Sequence, residues 1–167
     1  FRPGDIVHNC LSYHLTPGGF IFDSGARACG CVVIPAGVGQ SEAQVKAISD
    51  LKPTGYCGTP SFLKILIEKA EELGAEISSI KRALVSGEAL PETLRDWFAD
   101  RGIAMLQCYA SADLGLIAYE SDAKDRMIVA EDIILEIVRP GTGDPVVEGE
   151  VGEVVVTSLN MDYPLIR

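Results

Sequence analysis

Four short segments concentrate the groups that could do chemistry. They are YHLTPGG (residues 13–19), GTPS (58–61), VSGEAL (85–90) and CYASADLG (108–115). Each is rich in Gly, Ser, Thr or Pro, so each offers backbone N–H groups and hydroxyls that side chains do not crowd. Local N–H groups assisted by a metal ion are the means by which a protein holds a phosphorylated small molecule. Other chemistries lack their parts. Gly37-Val38-Gly39-Gln40-Ser41-Glu42 fails the dinucleotide fingerprint at its third glycine. No G-x-S-x-G elbow is present, and His8 and His14 precede every candidate nucleophile except Ser12. With only two histidines, a zinc site has few ligands to draw on. The five cysteines (Cys10, Cys29, Cys31, Cys57, Cys108) form no CxxC pair and read as reduced core residues of a cytoplasmic protein.

The elements that must position these segments follow from periodicity. The run DIVHNCLSYHL has strand composition, and Gly18 to Gly30 reads as a helix packed through small residues. A strand from Cys31 to Gly37 precedes a helix from Ser41, its N-cap, to Leu51. TGYCGT is a short strand. Thr59 and Pro60 are a cap and first-turn pair opening a helix to Leu73, closed by Gly74. A strand from Ile80 to Val85, a helix opened by Pro91 and closed at Gly102, and a strand from Ile103 to Tyr109 complete the alternation. Alternating strands and helices predict an α/β fold with a mostly parallel sheet and helices on both faces. Ligands of such a sheet bind on the loops beyond the carboxyl ends of its strands, where all four segments fall. After about Met127 the period changes to polar–apolar alternation, which predicts an antiparallel β segment from a second subdomain. The expected division is residues 1–126, with the loops, and an incomplete subdomain at 127–167.

Composition narrows the partners. The 167 residues carry 14 Lys plus Arg against 24 Asp plus Glu, a net charge of −10, which argues against nucleic-acid binding. No apolar run approaches the ~20 residues that span a bilayer. The chain opens on Phe1 and stops at PLIR without a cap or turn, so a piece of a longer protein is expected. Apolar surface that meets missing subdomains could pair two copies into a homodimer.

VSGEALP after a strand, then a helix, then a strand ending in YASADLG resembles the adenylate-forming enzymes of the acyl-CoA synthetase superfamily. The phenylacetate–CoA ligase-like family is the branch it resembles. SYHLTPGG, GARACGCVVIPAG, LKPTGYCGTPSFL, EDIILEIV, GEVGEVVVTSL and PLIR fall in that family's order along the whole chain. The resemblance implies an ATP-dependent carboxylate–CoA ligase acting on an aryl or small carboxylic acid, with ATP, Mg²⁺ and coenzyme A. The acid would attack the α-phosphate of ATP, and the thiol of coenzyme A would then displace AMP. It also implies roles. Gly87, Glu88 and Ala89 would line the adenine pocket, Tyr109 would stack on adenine, and the rest of that loop, Ala110, Ser111, Ala112 and Asp113, would complete the nucleotide site. Asp113 stands where the family has a Mg²⁺-ligating carboxylate, usually Glu. Tyr13, Gly18, Gly19 and Phe20, with Gly58, Thr59 and Pro60, would form the acyl pocket.

Two departures stand out. The family pattern Tyr-Gly-x-Ser/Thr-Glu is here Tyr109-Ala110-Ser111-Ala112-Asp113, which moves the hydroxyl by one residue and shortens the carboxylate. Ala110 replaces a glycine, and a positive φ there would strain it. The Ser/Thr/Gly-rich phosphate loop and the C-terminal lid with its catalytic Lys are not within the 167 residues, so this piece alone is expected to be inactive. Plainer readings stand beside these. Tyr13 could be a packed aromatic, His14 a loop histidine, Asp113 a local cap, and Glu131 and Asp132 the solvent face of a strand. A non-catalytic binding or interaction domain of flavodoxin-like topology is the alternative for the whole.

Overall fold

Short strands joined by helices of 8 to 14 residues pair in parallel, because each crossover returns the chain to the edge it left. The computed structural model describes residues 1–123 and 126–159. In chain order its elements are β1 (Ile6–Asn9), α1 (Gly18–Ala28), β2 (Val32–Pro35), α2 (Ser41–Leu51), β3 (Gly55–Gly58), α3 (Pro60–Leu73), β4 (Arg82–Val85) and α4 (Glu92–Ala99). There follow β5 (Ala104–Ser111), β6 (Gly115–Glu120), β7 (Met127–Val129), β8 (Ile133–Val138) and β9 (Glu153–Ser158). One seven-stranded sheet runs β2-β1-β3-β4-β5-β6-β7, and β8-β9 form a separate two-stranded sheet. β1 to β5 are parallel, while β6 and β7 extend the sheet in antiparallel fashion. The parallel α/β expectation holds, with helices on both faces. The antiparallel part begins at Gly115, earlier than the change of period suggests. The PLIR segment lies outside the described residues.

Strand alternation assigns the two faces. Val7, Cys57 and Leu84 pack with Phe22 and Ala26 of α1. Tyr56, Ala83, Val85 and Met105 point the other way, into a larger core with Val45 and Ile48 of α2, Leu63 and Leu66 of α3, and Phe98 of α4. The α1 crossover turns off β1 in one direction and the later crossovers in the other, so a right-handed connection puts them on opposite faces.

Local chemistry explains the ends. Thr59 Oγ1 accepts from Phe62 N at 3.3 Å, and Pro60 fills the first helical position of α3. Gly74, at φ +63°, closes that helix in the left-handed region. β1 is shorter than its apolar run, because Asn9 turns the chain: its Oδ1 accepts from Leu11 N at 3.1 Å and its Nδ2 donates to Gly19 O at 2.9 Å. Ser41 is not the cap of α2. Gln40 takes that position with φ +50°, and Gln44 holds the preceding loop instead, donating to Gly37 O (3.0 Å) and Gly39 O (2.7 Å).

The other end of Gln44 reaches the centre of the sheet. Its Oε1 accepts from His8 Nε2 at 2.8 Å and from the Cys10 thiol at 3.1 Å. An amide oxygen can only accept, so the proton of His8 sits on Nε2, and its buried Nδ1 has no partner among the described residues. Burial holds the His8 pKa below the ordinary 6.5, against the opposing pull of the Gln44 hydrogen bond. The unfolded chain then binds more protons than the native one as pH falls through 6.5, so stability is full above that value and declines below it. Urea midpoints should drop between about pH 7.5 and about pH 5.5, and His8→Leu should flatten that decline. An unchanged slope in the variant would remove His8 from the account.

A candidate active site at the carboxyl edge

The chain leaves β1 toward β2 and returns past it to β3, so the loops after β1 and β3 diverge. Divergence at a switch in strand order opens a crevice at the carboxyl edge. A cleft of about 430 Å³ lies there, lined by Ser12, Thr16 and Gly18 from the β1–α1 segment and by Thr59, Ser61 and Phe62 from the start of α3. Gly18 and Thr59, expected to serve one pocket, are thus brought together.

The remaining acyl candidates divide. Gly19 lies in the first turn of α1, and a Cβ there would sit 2.8 Å from both Ser12 O and the Tyr13 ring. Tyr13 is locked in place: its hydroxyl accepts from Asn9 Nδ2 at 2.8 Å and donates to Asp23 at 3.1 Å, and its ring meets Phe20 edge-on at 5.2 Å. Burial and then the Asp23 carboxylate push its pKa up, so this phenol stays protonated as a fixed ring. Phe20 is exposed. Gly58 admits no side chain, since a Cβ would lie 2.2 Å from the Tyr56 hydroxyl, which donates to Thr59 O at 3.0 Å. Pro60 is buried as the first residue of α3.

The nucleotide-loop candidates form two groups. Ser86, at the end of β4, donates its N–H to Gly58 O at 3.1 Å and its hydroxyl to Cys108 O at 2.9 Å, linking β4 to β3 and to β5. Gly87 follows at φ +82°, where an added Cβ would meet the Thr59 methyl at 3.5 Å. Glu88 reaches Ser61, and Ala89 leads to Leu90, whose N–H donates to Gln107 Oε1 at 3.4 Å. The second group is a hairpin. Tyr109, Ala110 and Ser111 end β5, and the turn through Ala112 and Asp113 enters β6 at Gly115, φ +72°. The Ser111 hydroxyl accepts from Leu114 N at 3.1 Å, so it caps the turn. Ala110 is not at positive φ; the irregularity falls between Tyr109 and Ala110 as a bulge in the ladder, so the expected strain is absent. Tyr109 is 46% exposed, and its ring is free to take a planar partner. Asp113 sits in the turn. Among the described residues no three His, Cys, Asp or Glu side chains cluster as a metal site.

One partly buried network holds the hairpin to α4. Glu120 accepts from Arg95 Nη2 (2.7 Å), Gln107 Nε2 (2.7 Å) and Gln107 N (3.0 Å), and Arg95 also donates to Met105 O (3.0 Å). Burial alone would raise the Glu120 pKa, but the Gln107 and Arg95 hydrogen bonds outweigh it and hold the carboxylate below its usual range.

The sequence reading missed a second recess. An apolar groove of about 380 Å³ runs along the α1 face between Ile21 and Phe22 on one side and Cys57, Leu84, Cys108 and Leu116 on the other. Strand alternation carried the signal, but the cysteines read as core. All five are free, and only Cys29 is exposed. Burial raises the Cys57 and Cys108 thiols, so they are apolar wall of this groove and not nucleophiles, and it pushes Cys10, in the core on the other face, up to about 12.

Gly19→Ala tests the loop geometry. The added methyl must displace a backbone carbonyl or the Tyr13 ring, and overpacking of this kind costs ~1–3 kcal/mol. A clear fall in Tm is expected, whereas Gly25→Ala, with open space at its Cβ, should be neutral or stabilising.

Residues 1–161 match the family described as AMP-binding enzyme. The chain is 32% identical over 174 residues to the phenylacetate-coenzyme A ligase of Aromatoleum evansii, covering 99% of this chain and 40% of that protein. It is 34% identical to the phenylacetate-coenzyme A ligase of Pseudomonas putida, with the same coverage of 99% and 40%. A 2-hydroxyisobutyryl-CoA ligase crystallised with 2-HIB-AMP and CoA matches with a TM-score of 0.85 at 26% identity, covering 95% of this chain and 36% of that one. The chain therefore spans about 40% of the length of the curated relatives it matches. Since the family match runs through every element from β1 to β9, the chain belongs to the AMP-binding enzyme family.

Proposed function

We propose that the protein carrying this chain is an ATP-dependent acid–CoA ligase, and that residues 1–126 form the subdomain holding its acyl and adenine loops. Support comes from one observation above the others. The segments after β1 and β3 meet at a crevice of the size that small ligands use, and the loop after β4 hydrogen-bonds to Ser61 in its wall, in a chain of this family. The acid is an aryl or small carboxylic acid whose body lies in the cleft, with Tyr13, held by Asn9 and Asp23 next to the lining residue Ser12, proposed to bound it. Its carboxylate oxygen bonds to the α-phosphorus of ATP as the bond to pyrophosphate breaks. The sulfur of coenzyme A then bonds to the acyl carbon, and AMP leaves.

The work of this chain is positioning, which suits a reaction needing no protein nucleophile. Gly87, Glu88 and Ala89 line the adenine site, and Tyr109 stacks on the base. Ala110, Ser111 and Ala112 hold the hairpin turn beside it. Mg²⁺, when bound, offsets phosphate charge, and Asp113 is the residue here that would hold it. We also propose that the 167 residues alone do not turn over, because the family's phosphate loop and catalytic Lys are not among them.

The strand order β2-β1-β3-β4-β5 is also that of flavodoxin-like domains, which keeps a non-catalytic binding module as the second reading. ATP–pyrophosphate exchange with a panel of aryl and small acids, run on the full-length protein, separates the two. Acid-dependent exchange is expected; no exchange with any acid would favour the binding module. Within the first reading, Tyr109→Ala should raise the KM for ATP about tenfold, since base–aromatic stacking is worth ~1–3 kcal/mol, while Tyr109→Phe should retain the wild-type value.

A further inference from the structure

The nucleotide loop and the acyl loop belong to different crossovers, yet two contacts stitch them together. One involves the backbone of the nucleotide loop: Ser86 N donates to Gly58 O at 3.1 Å. The other is made by a side chain. Glu88 Oε1 accepts from the Ser61 hydroxyl at 2.7 Å, and its Oε2 lies 3.4 Å from Ser61 N, across 27 residues of sequence.

Ser61 occupies the first turn of α3, a helix of 14 residues. A carboxylate placed there meets unpaired N–H groups and the positive end of the helix dipole. Hydrogen bonds to an ionised acceptor are also the stronger kind. Thr59 already caps α3 through Phe62 N, so the helix does not need Glu88 to form. Both Glu88 and Ser61 are exposed, so the core does not need the contact either. Its effect is on spacing: it fixes the segment expected to line adenine against the segment that lines the cleft.

We propose that Glu88 and Ser61 form a positioning contact that couples the two half-sites, so that acid and ATP bind as a pair. This rests on the ligase reading. Bound nucleotide holds the 87–89 segment in place, Glu88 holds Ser61, and the cleft wall at Thr59–Ser61 is set for the acid. Without the contact each ligand still binds, but nucleotide no longer prepares the cleft.

The test uses the full-length protein and acid-dependent ATP–pyrophosphate exchange. Glu88→Ala, Ser61→Ala, the double variant and the conservative Ser61→Thr are compared, with the acid KM measured at saturating and at limiting ATP. Each alanine variant should raise the acid KM at saturating ATP about tenfold, leave kcat within about twofold, and keep the wild-type Tm. The double variant should lose no more than Glu88→Ala alone, because that variant already removes every hydrogen bond between the two residues. Ser61→Thr, which keeps the hydroxyl, should recover most of the loss. Unchanged KM values, losses that multiply in the double variant, or no recovery in Ser61→Thr would overturn the coupling while leaving the ligase reading intact. If the wild-type protein exchanges with no acid and binds no ATP in equilibrium dialysis, the ligase reading fails, and the coupling fails with it.

Discussion

The pairing of β1 with strands on both sides is the constraint on which the loop edge depends. A strand paired with β2 on one side and β3 on the other cannot send successive crossovers the same way. The loops that follow it must part, and the gap between them is the cleft. Asn9 sits where this happens. Fully buried, it ends the strand, turns the chain through Leu11 N, and ties Gly19 and Tyr13 to the sheet. Its hydrogen bonds are satisfied within the loop it shapes, which is why a buried polar side chain is tolerated there.

Two further polar networks act at a distance from that point. Gln44 joins the glycine loop after β2 to His8 and Cys10, and Glu120 joins α4 to β5 and β6 through Arg95 and Gln107. In a low-dielectric interior such networks are stabilising only when nearly every member is partnered. Glu120 meets that condition with three donors. His8 does not, since one ring nitrogen has no partner among the described residues, and burial suppresses its affinity for a second proton. The apolar core on that face is the larger of the two, and it carries this imperfection.

How much was legible in the sequence depends on whether the signal was local. α3 was readable to the residue, because Thr59, Pro60 and Gly74 act within a turn of where they stand. The parallel order and the edge that gathers the four segments followed from alternation alone. β6 was not readable as a strand, because its start depends on Ser111 capping Leu114 and its end on a glutamate clamped by α4. The end of β1 depended on an asparagine contacting a glycine ten residues on. The link from Ser61 to Glu88 has no local signature, and the apolar groove was hidden by thiols whose surroundings composition does not reveal. The Ala110 departure brings no left-handed strain, because a bulge makes the bend.

The distribution of sulfur has a practical side. Four of the five thiols are shut inside the packing, and Cys29, at the end of α1, is the one left open to solvent. It also borders the apolar groove, opposite the wall made by Cys57 and Cys108. A maleimide dye would therefore attach at one place in these residues without any engineering. The dye would sit at the rim of the recess, where its emission would follow whatever enters or leaves.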